Sequence, residues 1–265
     1  MYVVELRKTL RRPRTWVLVG LLAAFAILPV AVLAISGGGN GGGPTFFDLI
    51  RETGLAAPLA VMLFIQPVVL PLGVSLLAGE AIALEASGGT LRYLLVRPVG
   101  RVRLVVTKYA AVMTLLLAAM AWVLAVAMVA GGIAYGLHPL PTLSGATLGT
   151  GTALGRIAAA GLYLVTQVAG LAAIGLFCST LTESAIGAGA ITLLVSIASQ
   201  ILDALSQVAV IHPYLPSHEW LAFADLFRSP VAWTGIEHGL WLALGYTVVF
   251  VGLSLLAFTR KDVTS

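Results

Sequence analysis

The sequence predicts an all-α integral membrane protein with six transmembrane helices, and three observations support this prediction. Hydrophobic residues make up 59% of the 265 positions, whereas charged residues make up only 10%. Soluble domains carry about a quarter charged residues, so this composition cannot cover the surface of a soluble globule of this length. The other two observations are six long stretches without charge and an uneven distribution of Lys and Arg.

Six stretches without Asp, Glu, Lys or Arg are long enough to cross a bilayer, which takes about 20 apolar residues per helix. They are Thr15–Ser36, Thr53–Gly79, Tyr109–Leu137, Ile157–Thr182, Ser184–Leu202 and Gly239–Thr259. None alternates as an outer-membrane strand does, so we expect helices throughout. The first stretch is too long for the core of a cleaved signal peptide. We therefore expect residues 1–265 to form one transmembrane domain.

The basic residues predict which side each loop faces. Five of the 15 Lys and Arg precede the first span, five lie between spans two and three, and two follow span six. The opposite side has only Arg51, Arg156 and Arg228. Because loops rich in Lys and Arg stay in the cytoplasm, both termini are predicted to be cytoplasmic. The basic residues form no single patch, so we expect no nucleic-acid partner.

Residues 1–14 have the pattern of an interfacial helix. Val3, Leu6 and Leu10 would share one face, with charged side chains on the other. Such a helix lies flat on the inner leaflet before Pro13 turns the chain into the first span. A plain basic anchor would explain the charges but not the periodic apolar residues.

Residues 212–237 predict an outer helical hairpin. The stretch "HPYLPSHEWLAFADLFRSP" is aromatic, bounded by prolines and too short to cross a membrane twice. We expect short helices that dip into the interface, with Trp220, Phe223 and Phe227 as the aromatic residues at the membrane surface.

The same region carries side chains that can bind metals. They are His212, His218, Glu219, Glu237 and His238. Their spacing matches no compact metal motif, and the five methionines and one cysteine form no series of soft ligands. The sequence therefore predicts no metal site.

The segment 80–108, between spans two and three, contains Ser87-Gly88-Gly89, which is similar to a fragment of a nucleotide-binding loop. A phosphate-binding loop also needs a Gly-Lys pair, and the sequence has none. The segment is also too short to hold a nucleotide domain. We expect this chain to bind no ATP or other cofactor.

Residues 90–98 instead predict a short cytosolic helix. Gly88-Gly89 ends the preceding helix, Thr90 starts a new one, and Arg97-Pro98 stops it. Leu91, Leu94 and Leu95 would line one side between cationic ends. This shape suits docking to a cytoplasmic protein, whereas a solvated loop that only fixes topology is the alternative.

At these residues the sequence resembles a known family. "GE-x4-E-x2-GGTLRYLLVRPVGRVRLVVTKY", Gly79–Tyr109, is similar to the cytosolic segment of type-two ABC exporter permeases, especially the six-helix bacitracin-export and NosY-like members. "ELRKTLRRPRTW", Glu5–Trp16, resembles the interfacial helix of that family. "LFCSTLTESAIGAGA", Leu176–Ala190, resembles its inner turn between helices four and five, although Glu183 stands where a basic residue is common.

The resemblance implies a bacterial inner-membrane (plasma-membrane) transport subunit that is not itself an ATPase. Separate cytoplasmic ATPase subunits would hold ATP and Mg²⁺, and a second permease chain, identical or related, would complete the pathway. The cytosolic segment would then be a coupling helix. Its expected contact residues are Glu85, Thr90, Leu91, Arg92, Leu94, Leu95, Arg97 and Pro98.

Four polar residues stand out within or near the spans. Gln167 belongs to the fourth helix, and we assign Gln200, Asp203 and Gln207 to one face of the fifth. A carboxylate at membrane depth costs about 3 kcal/mol on insertion scales, so it faces protein or water. These side chains either line the outer part of a translocation path or mark a helix end that meets the outer hairpin. Both interpretations remain open from the sequence.

Small residues in the same two helices predict close helix packing. They are Gly170, Gly175, Gly187 and Gly189.

Three classes of function fit the sequence. The first is the permease subunit of an ABC exporter. The second is a membrane-embedded lipid-modifying enzyme, for which only Glu80 and Glu85 are candidate inner-face carboxylates. The third is a non-catalytic subunit that anchors other proteins. The substrate is not encoded in any motif.

Overall fold

The computed structural model describes residues 2, 13–35, 45–87, 100–142 and 145–260, and most of these residues are helical. Two short strands and three 3₁₀ elements interrupt the α-helices. The α-helices of the described residues are α1 (Pro13–Ile35), α2 (Thr45–Glu52), α3 (Ala57–Ile65), α4 (Val69–Ser87), α5 (Arg101–Tyr135), α6 (Thr150–Leu181), α7 (Ala185–Ala204) and α8 (Thr234–Arg260).

Five of these helices, α1 and α5 to α8, are long and apolar enough to cross a membrane. The pair Gly54–Ile65 and Val69–Ala83 adds a sixth crossing if the two pieces form one span. The helical fold class predicted from composition is confirmed at this level, and the chain has the helices expected of a membrane protein.

The second predicted span, Thr53–Gly79, is wrong as a single straight helix. The structure bends it by 60° between α3 and α4. Pro67 lies in the break, and Pro71 follows in the first turn of α4. Pro71 has no N–H to donate to the carbonyl of Pro67 four residues earlier, so the helical hydrogen-bond ladder cannot continue through the break.

The central helix of the bundle is α6, which packs against α4, α5, α7 and α8. Its most apolar stretch is 72% buried, against 11% for α8. Helix α4 also packs along α7. The core therefore surrounds α6, and the outer faces of α1, α5, α7 and α8 carry exposed apolar side chains.

Close helix packing at glycines is confirmed for three of the four predicted positions. A Cβ added to Gly170 would lie 2.8 Å from the Cβ of Tyr246, and one on Gly175 would lie 2.7 Å from that of Ala78. Gly189 lies against the backbone of α4. Gly187 was predicted wrongly, because only the side chain of Ser184, which caps the same helix, lies near it.

One end of the bundle, here the loop end, carries residues 136–142 and 205–233. At this end strand β1 (Leu140–Pro141) pairs antiparallel with β2 (Thr147–Leu148). Two 3₁₀ segments, Ser206–Tyr214 and Trp220–Phe227, follow α7. The opposite end, here the turn end, carries the tight connection between α6 and α7 at residues 182–184.

The predicted outer hairpin is present as short helices, but its aromatic residues were assigned wrongly. Trp220, Phe223 and Phe227 are at most 2% exposed and belong to the main core. The segment folds back onto α6, so its aromatic face packs on protein. The exposed tryptophans near this end are Trp233 and Trp241. The segment also ends earlier than predicted, because Glu237 lies in α8.

The predicted cytosolic segment, residues 80–108, is helical at both its margins. Residues 80–87 extend α4 and residues 101–108 begin α5. A small apolar cluster holds these margins together with the ends of α6 and α8. Its buried members are Ile82, Leu104, Val105, Leu176 and Phe258.

The rest of that segment, residues 88–99, lies outside the described residues, and so does most of the predicted interfacial helix 1–14. Of the expected coupling residues, Thr90, Leu91, Arg92, Leu94, Leu95, Arg97 and Pro98 therefore have no described position. Glu85 lies in α4.

Candidate functional site

The candidate functional site lies where α7 meets the two 3₁₀ segments at the loop end. Ser196, Ser199, Gln200 and Asp203 follow one another at intervals of three, one and three residues. This spacing places them on one face of α7. The structure directs this polar face toward the break between α3 and α4 and toward residues 217–218.

Gln200 completes the hydrogen bonding of the break. Its amide nitrogen donates to the carbonyl of Pro67 at 3.0 Å. Pro71 has no N–H to donate to that carbonyl, so the side chain of Gln200 takes the place of the missing backbone donor. The same nitrogen lies 3.4 Å from the hydroxyl of Ser196. These contacts give Gln200 a structural role in holding the bend.

Asp203 and Ser199 fasten α7 to the chain that follows it. The Nδ1 of His218 lies 2.6 Å from Oδ1 of Asp203. The hydroxyls of Ser199 and Ser217 are also 2.6 Å apart, and the backbone N–H of Ser217 donates to Ser199. These contacts favour the interpretation of this face as a helix end that meets the predicted hairpin, over its interpretation as part of a translocation path.

Gln207 does not belong to this face. Helix α7 ends at Ala204, and Gln207 is an exposed residue of the first 3₁₀ segment. The prediction that it continues the face of Gln200 and Asp203 was wrong because it extended the helical period past the helix end. The chain leaves the helix at Leu205, which has an extended backbone conformation.

Three of the four histidines of the chain meet beside Asp203. The rings of His212 and His218 have centroids 5.9 Å apart, and those of His218 and His238 are 6.4 Å apart. Nδ1 of His238 lies 3.2 Å from a carboxylate oxygen of Glu219. We call Asp203, His212, His218, Glu219 and His238 the histidine cluster.

Within the cluster, three residues bring possible metal-binding atoms close together. One donor atom from each of Asp203, His212 and His218 lies within 4.8 Å of the other two. The expectation of no metal site relied on spacing along the chain. That argument missed this group because the turn after α7 brings residues 9 and 15 positions apart from Asp203 back to it.

The fourth polar residue named from the sequence, Gln167, adjoins the cluster from α6. Its side chain is 3% exposed, and within the described residues its amide nitrogen has no hydrogen-bond partner. That nitrogen lies against Gly239, as does the hydroxyl of Tyr163. Tyr163 donates to the backbone carbonyl of Glu219 at 2.7 Å. Gln167 therefore adjoins Glu219, which precedes the second 3₁₀ segment, across Gly239 of α8. Its place in a shared path with Asp203 stays a prediction.

Arg156 fixes the far side of the same region. One guanidinium nitrogen donates to the carbonyls of Leu226 and Arg228, at 2.8 and 2.9 Å. Arg228 in turn lies 2.7 Å from the carboxylate of Asp225. Because α6 supplies Arg156, Tyr163 and Gln167, the central helix positions the second 3₁₀ segment along its whole length.

Comparison with known proteins shows one family. A family model described as a protein of unknown function, DUF2705, matches residues 27–264. The chain belongs to the DUF2705 family. No curated protein matches it. The match begins within α1, continues through α8 and includes every residue of the histidine cluster. Its description leaves the activity of the family open.

Proposed function

We propose that this DUF2705 protein is the membrane-spanning permease subunit of an ABC exporter, driven by a separate cytoplasmic ATPase. The observation that carries the proposal is the similarity of Gly79–Tyr109 to the cytosolic segment of such permeases. The fold supplies the expected setting, because this segment is flanked by α5, which is long enough to cross a membrane, and by α4, which is long enough together with the Gly54–Ile65 piece before it.

The turn end supports a role in transmitting force. The cluster around Ile82, Leu104 and Phe258 joins the ends of α4, α5, α6 and α8. Ser179 of α6 also accepts hydrogen bonds from the backbone N–H groups of Ile82 and Ala83, at 2.9 and 2.8 Å. A push on residues 88–99 would therefore act on four helices together. Such a joint suits rigid-body motion of a whole subunit.

The proposal includes a topology and a partner. Residues 88–99 and both termini face the cytoplasm, so the turn end is the inner end and the loop end is the outer end. A second permease chain, identical or related, covers part of the exposed apolar surface, and lipid covers the rest. The cytoplasmic ATPase subunits bind ATP and Mg²⁺.

The first experiment tests docking of the ATPase. The chain is co-expressed with the ATPase encoded beside it, and the complex is purified and assayed for ATP hydrolysis. Leu91→Asp and Leu95→Asp are each expected to abolish co-purification or coupled hydrolysis, because an unpaired carboxylate is costly in an apolar joint. Arg92→Ala is expected to weaken coupling mildly and in a salt-dependent manner, since rim charges act mainly on association.

Two variants serve as controls. Leu137→Asp introduces the same change at an exposed leucine of the loop end and should leave docking intact. Ser87→Ala should also assemble normally, because the chain has no nucleotide-binding loop. If Ser87→Ala loses ATP binding while Leu91→Asp assembles and hydrolyses ATP normally, the proposal fails.

The second experiment tests topology. In a Cys178→Ser background, single cysteines are placed at exposed Thr147 of the loop end and exposed Gly100 of the turn end. A membrane-impermeant thiol reagent added to intact cells should label Thr147→Cys only. Lysed cells should show both positions labelled, which controls for reactivity. Labelling of Gly100→Cys in intact cells would reverse the orientation.

A further inference from the structure

We propose that the histidine cluster is a metal site in which Asp203, His212 and His218 bind one Zn²⁺ ion. Zn²⁺ binds the imidazole nitrogens of His and the carboxylate oxygens of Asp at about 2.0–2.2 Å. The assignment depends on the geometry of the described residues alone. It does not require the chain to be a transporter.

The distances allow a small closure around an ion. Ligand atoms on a tetrahedral Zn²⁺ lie about 3.3 Å apart, given bond lengths of about 2.0–2.1 Å. The donor atoms of Asp203, His212 and His218 all lie within 4.8 Å of one another. The pair of Asp203 and His218, at 2.6 Å, must open toward this spacing, and His212 must approach them. All three side chains are partly exposed, so these movements are side-chain rotations.

The contacts of His212 leave one of its ring nitrogens available to a ligand. Its Nε2 lies 3.1 Å from the carbonyl oxygen of Leu205. A carbonyl only accepts, so Nε2 carries the hydrogen in this contact and Nδ1 keeps its lone pair. Histidines that bind metals usually donate their other ring N–H to a carbonyl or carboxylate in this way.

His218 and Asp203 form the second part of the site. A proton bridges Nδ1 of His218 and Oδ1 of Asp203 across 2.6 Å. When the ion binds, the neutral ring of His218 carries its hydrogen on Nε2 instead of Nδ1, so Nδ1 and Oδ1 of Asp203 can both coordinate the ion together with His212. The carboxylate of Asp203 supplies negative charge to the cation. No electron transfer and no further reactant is involved.

The surroundings favour a divalent cation. A second carboxylate–imidazole pair, Glu219 and His238, faces His218 across a ring contact of 6.4 Å. The three ligands leave a fourth position on the ion for a water molecule, as in three-ligand zinc sites. Two arginines of this region have partners of their own: Arg228 pairs with Asp225, and Arg156 donates to backbone carbonyls.

The ion would act as a clamp. Asp203 belongs to the last turn of α7, whereas His212 belongs to the first of the two 3₁₀ segments and His218 to the connection between them. Binding of the ion therefore fixes residues 205–218 to the end of α7. Because the ion binds the folded arrangement, it raises the melting temperature of the protein.

The test uses the full-length chain, purified in detergent with an affinity tag that contains no histidine. Zn²⁺ binding is measured by equilibrium dialysis against ZnCl₂, and melting temperature is recorded with and without the ion. The wild type should bind one Zn²⁺ per chain saturably. His212→Ala, His218→Ala and Asp203→Asn should each weaken binding by at least about tenfold, since even residues that only orient metal ligands are worth about 10–100-fold.

His138→Ala is the matched control, because His138 is the remaining histidine of the chain and lies exposed at the same end. Cys178→Ser controls for the single thiol. Both should bind Zn²⁺ as the wild type does. If an alanine variant does not purify as a single species, His212→Gln and His218→Gln keep the size and polarity of the side chain and carry the comparison.

Three results would overturn the proposal. They are a wild type without saturable Zn²⁺ binding, cluster variants that bind as tightly as the wild type, and a loss at His138→Ala equal to the loss at His218→Ala. The first two would show that the cluster is a hydrogen-bonded joint that needs no ion.

Discussion

Helices α6 and α8 have similar composition and opposite surroundings. The most apolar stretch of α6 has a mean hydropathy of 1.8 and is 72% buried, whereas that of α8 has a mean hydropathy of 2.1 and is 11% buried. Helix α1, with a mean hydropathy of 2.8, is also mostly exposed, at 18% burial. The least apolar of these helices is therefore the one inside the bundle.

This order is the reverse of a soluble protein, where the most apolar segments are buried away from water. It is the order expected when the surrounding medium is itself apolar, because lipid tails then accept Leu and Val side chains as well as a core does. Polar side chains of α6, such as Gln167 and Ser179, are buried. The comparison teaches that hydropathy identifies a span without saying which span is central.

The largest expected effect comes from paired leucine truncations on the two helices. Leu171 of α6 is 1% exposed and Leu244 of α8 is 50% exposed. Leu171→Ala should lower the free energy of unfolding by about 2–5 kcal/mol, because it leaves a cavity in a packed site. Leu244→Ala should change it by less than about 0.5 kcal/mol. Unfolding by SDS titration in mixed micelles measures both. Equal losses would mean that α8 is covered in the native protein, as by a second chain.

A smaller effect is expected from two glycines of α4, one covered and one open. A Cβ at Gly79 would lie 2.6 Å from the backbone nitrogen of Gly189 on α7, whereas nothing lies within 4 Å of one at Gly73. Gly79→Ala should cost about 1–3 kcal/mol because the helices must separate. Gly73→Ala should be neutral or stabilise by up to about 1 kcal/mol. The melting temperatures of the two variants, each compared with the wild type, measure this difference. A Gly79→Ala protein more stable than the wild type would contradict the packing of α4 on α7.

The smallest effect is expected at the polar face of α7. Gln200→Ala removes the donor to the Pro67 carbonyl and should cost about 1 kcal/mol, the typical net contribution of a hydrogen bond. Gln207→Ala, at an exposed position outside the helix, should cost less than about 0.5 kcal/mol. Thermal unfolding of both variants tests this difference. If Gln207→Ala lowers the free energy of unfolding more than Gln200→Ala does, Gln207 belongs with Gln200 and Asp203 after all.

Much of the bundle could be predicted because each feature depends on nearby residues. Long uncharged stretches predict helices regardless of their neighbours, since a backbone in an apolar medium must satisfy its own hydrogen bonds. The helices at Pro13–Ile35, Ala185–Ala204 and Thr234–Arg260 begin and end within about five residues of those predictions, as helix boundaries usually do. The bend at Pro67 could have been predicted from the sequence, because Pro71 lacks the backbone N–H that would donate to the Pro67 carbonyl. The hydropathy of the stretch does not show it, because proline interrupts the hydrogen bonding and not the apolar character.

The histidine cluster and the burial of the aromatic residues required the tertiary structure. Nothing local distinguishes an aromatic residue at a membrane surface from one in a core, so Trp220, Phe223 and Phe227 were assigned by composition. Their burial follows from the second 3₁₀ segment folding onto α6. Likewise, Asp203, His212, His218 and His238 meet only because the chain reverses after Ala204 and because α8 begins beside that reversal. The sequence alone thus determines which segments are helical and apolar, because propensity and hydrogen bonding act within a segment. Which helix is central, and which polar side chains meet, is decided by contacts between distant segments.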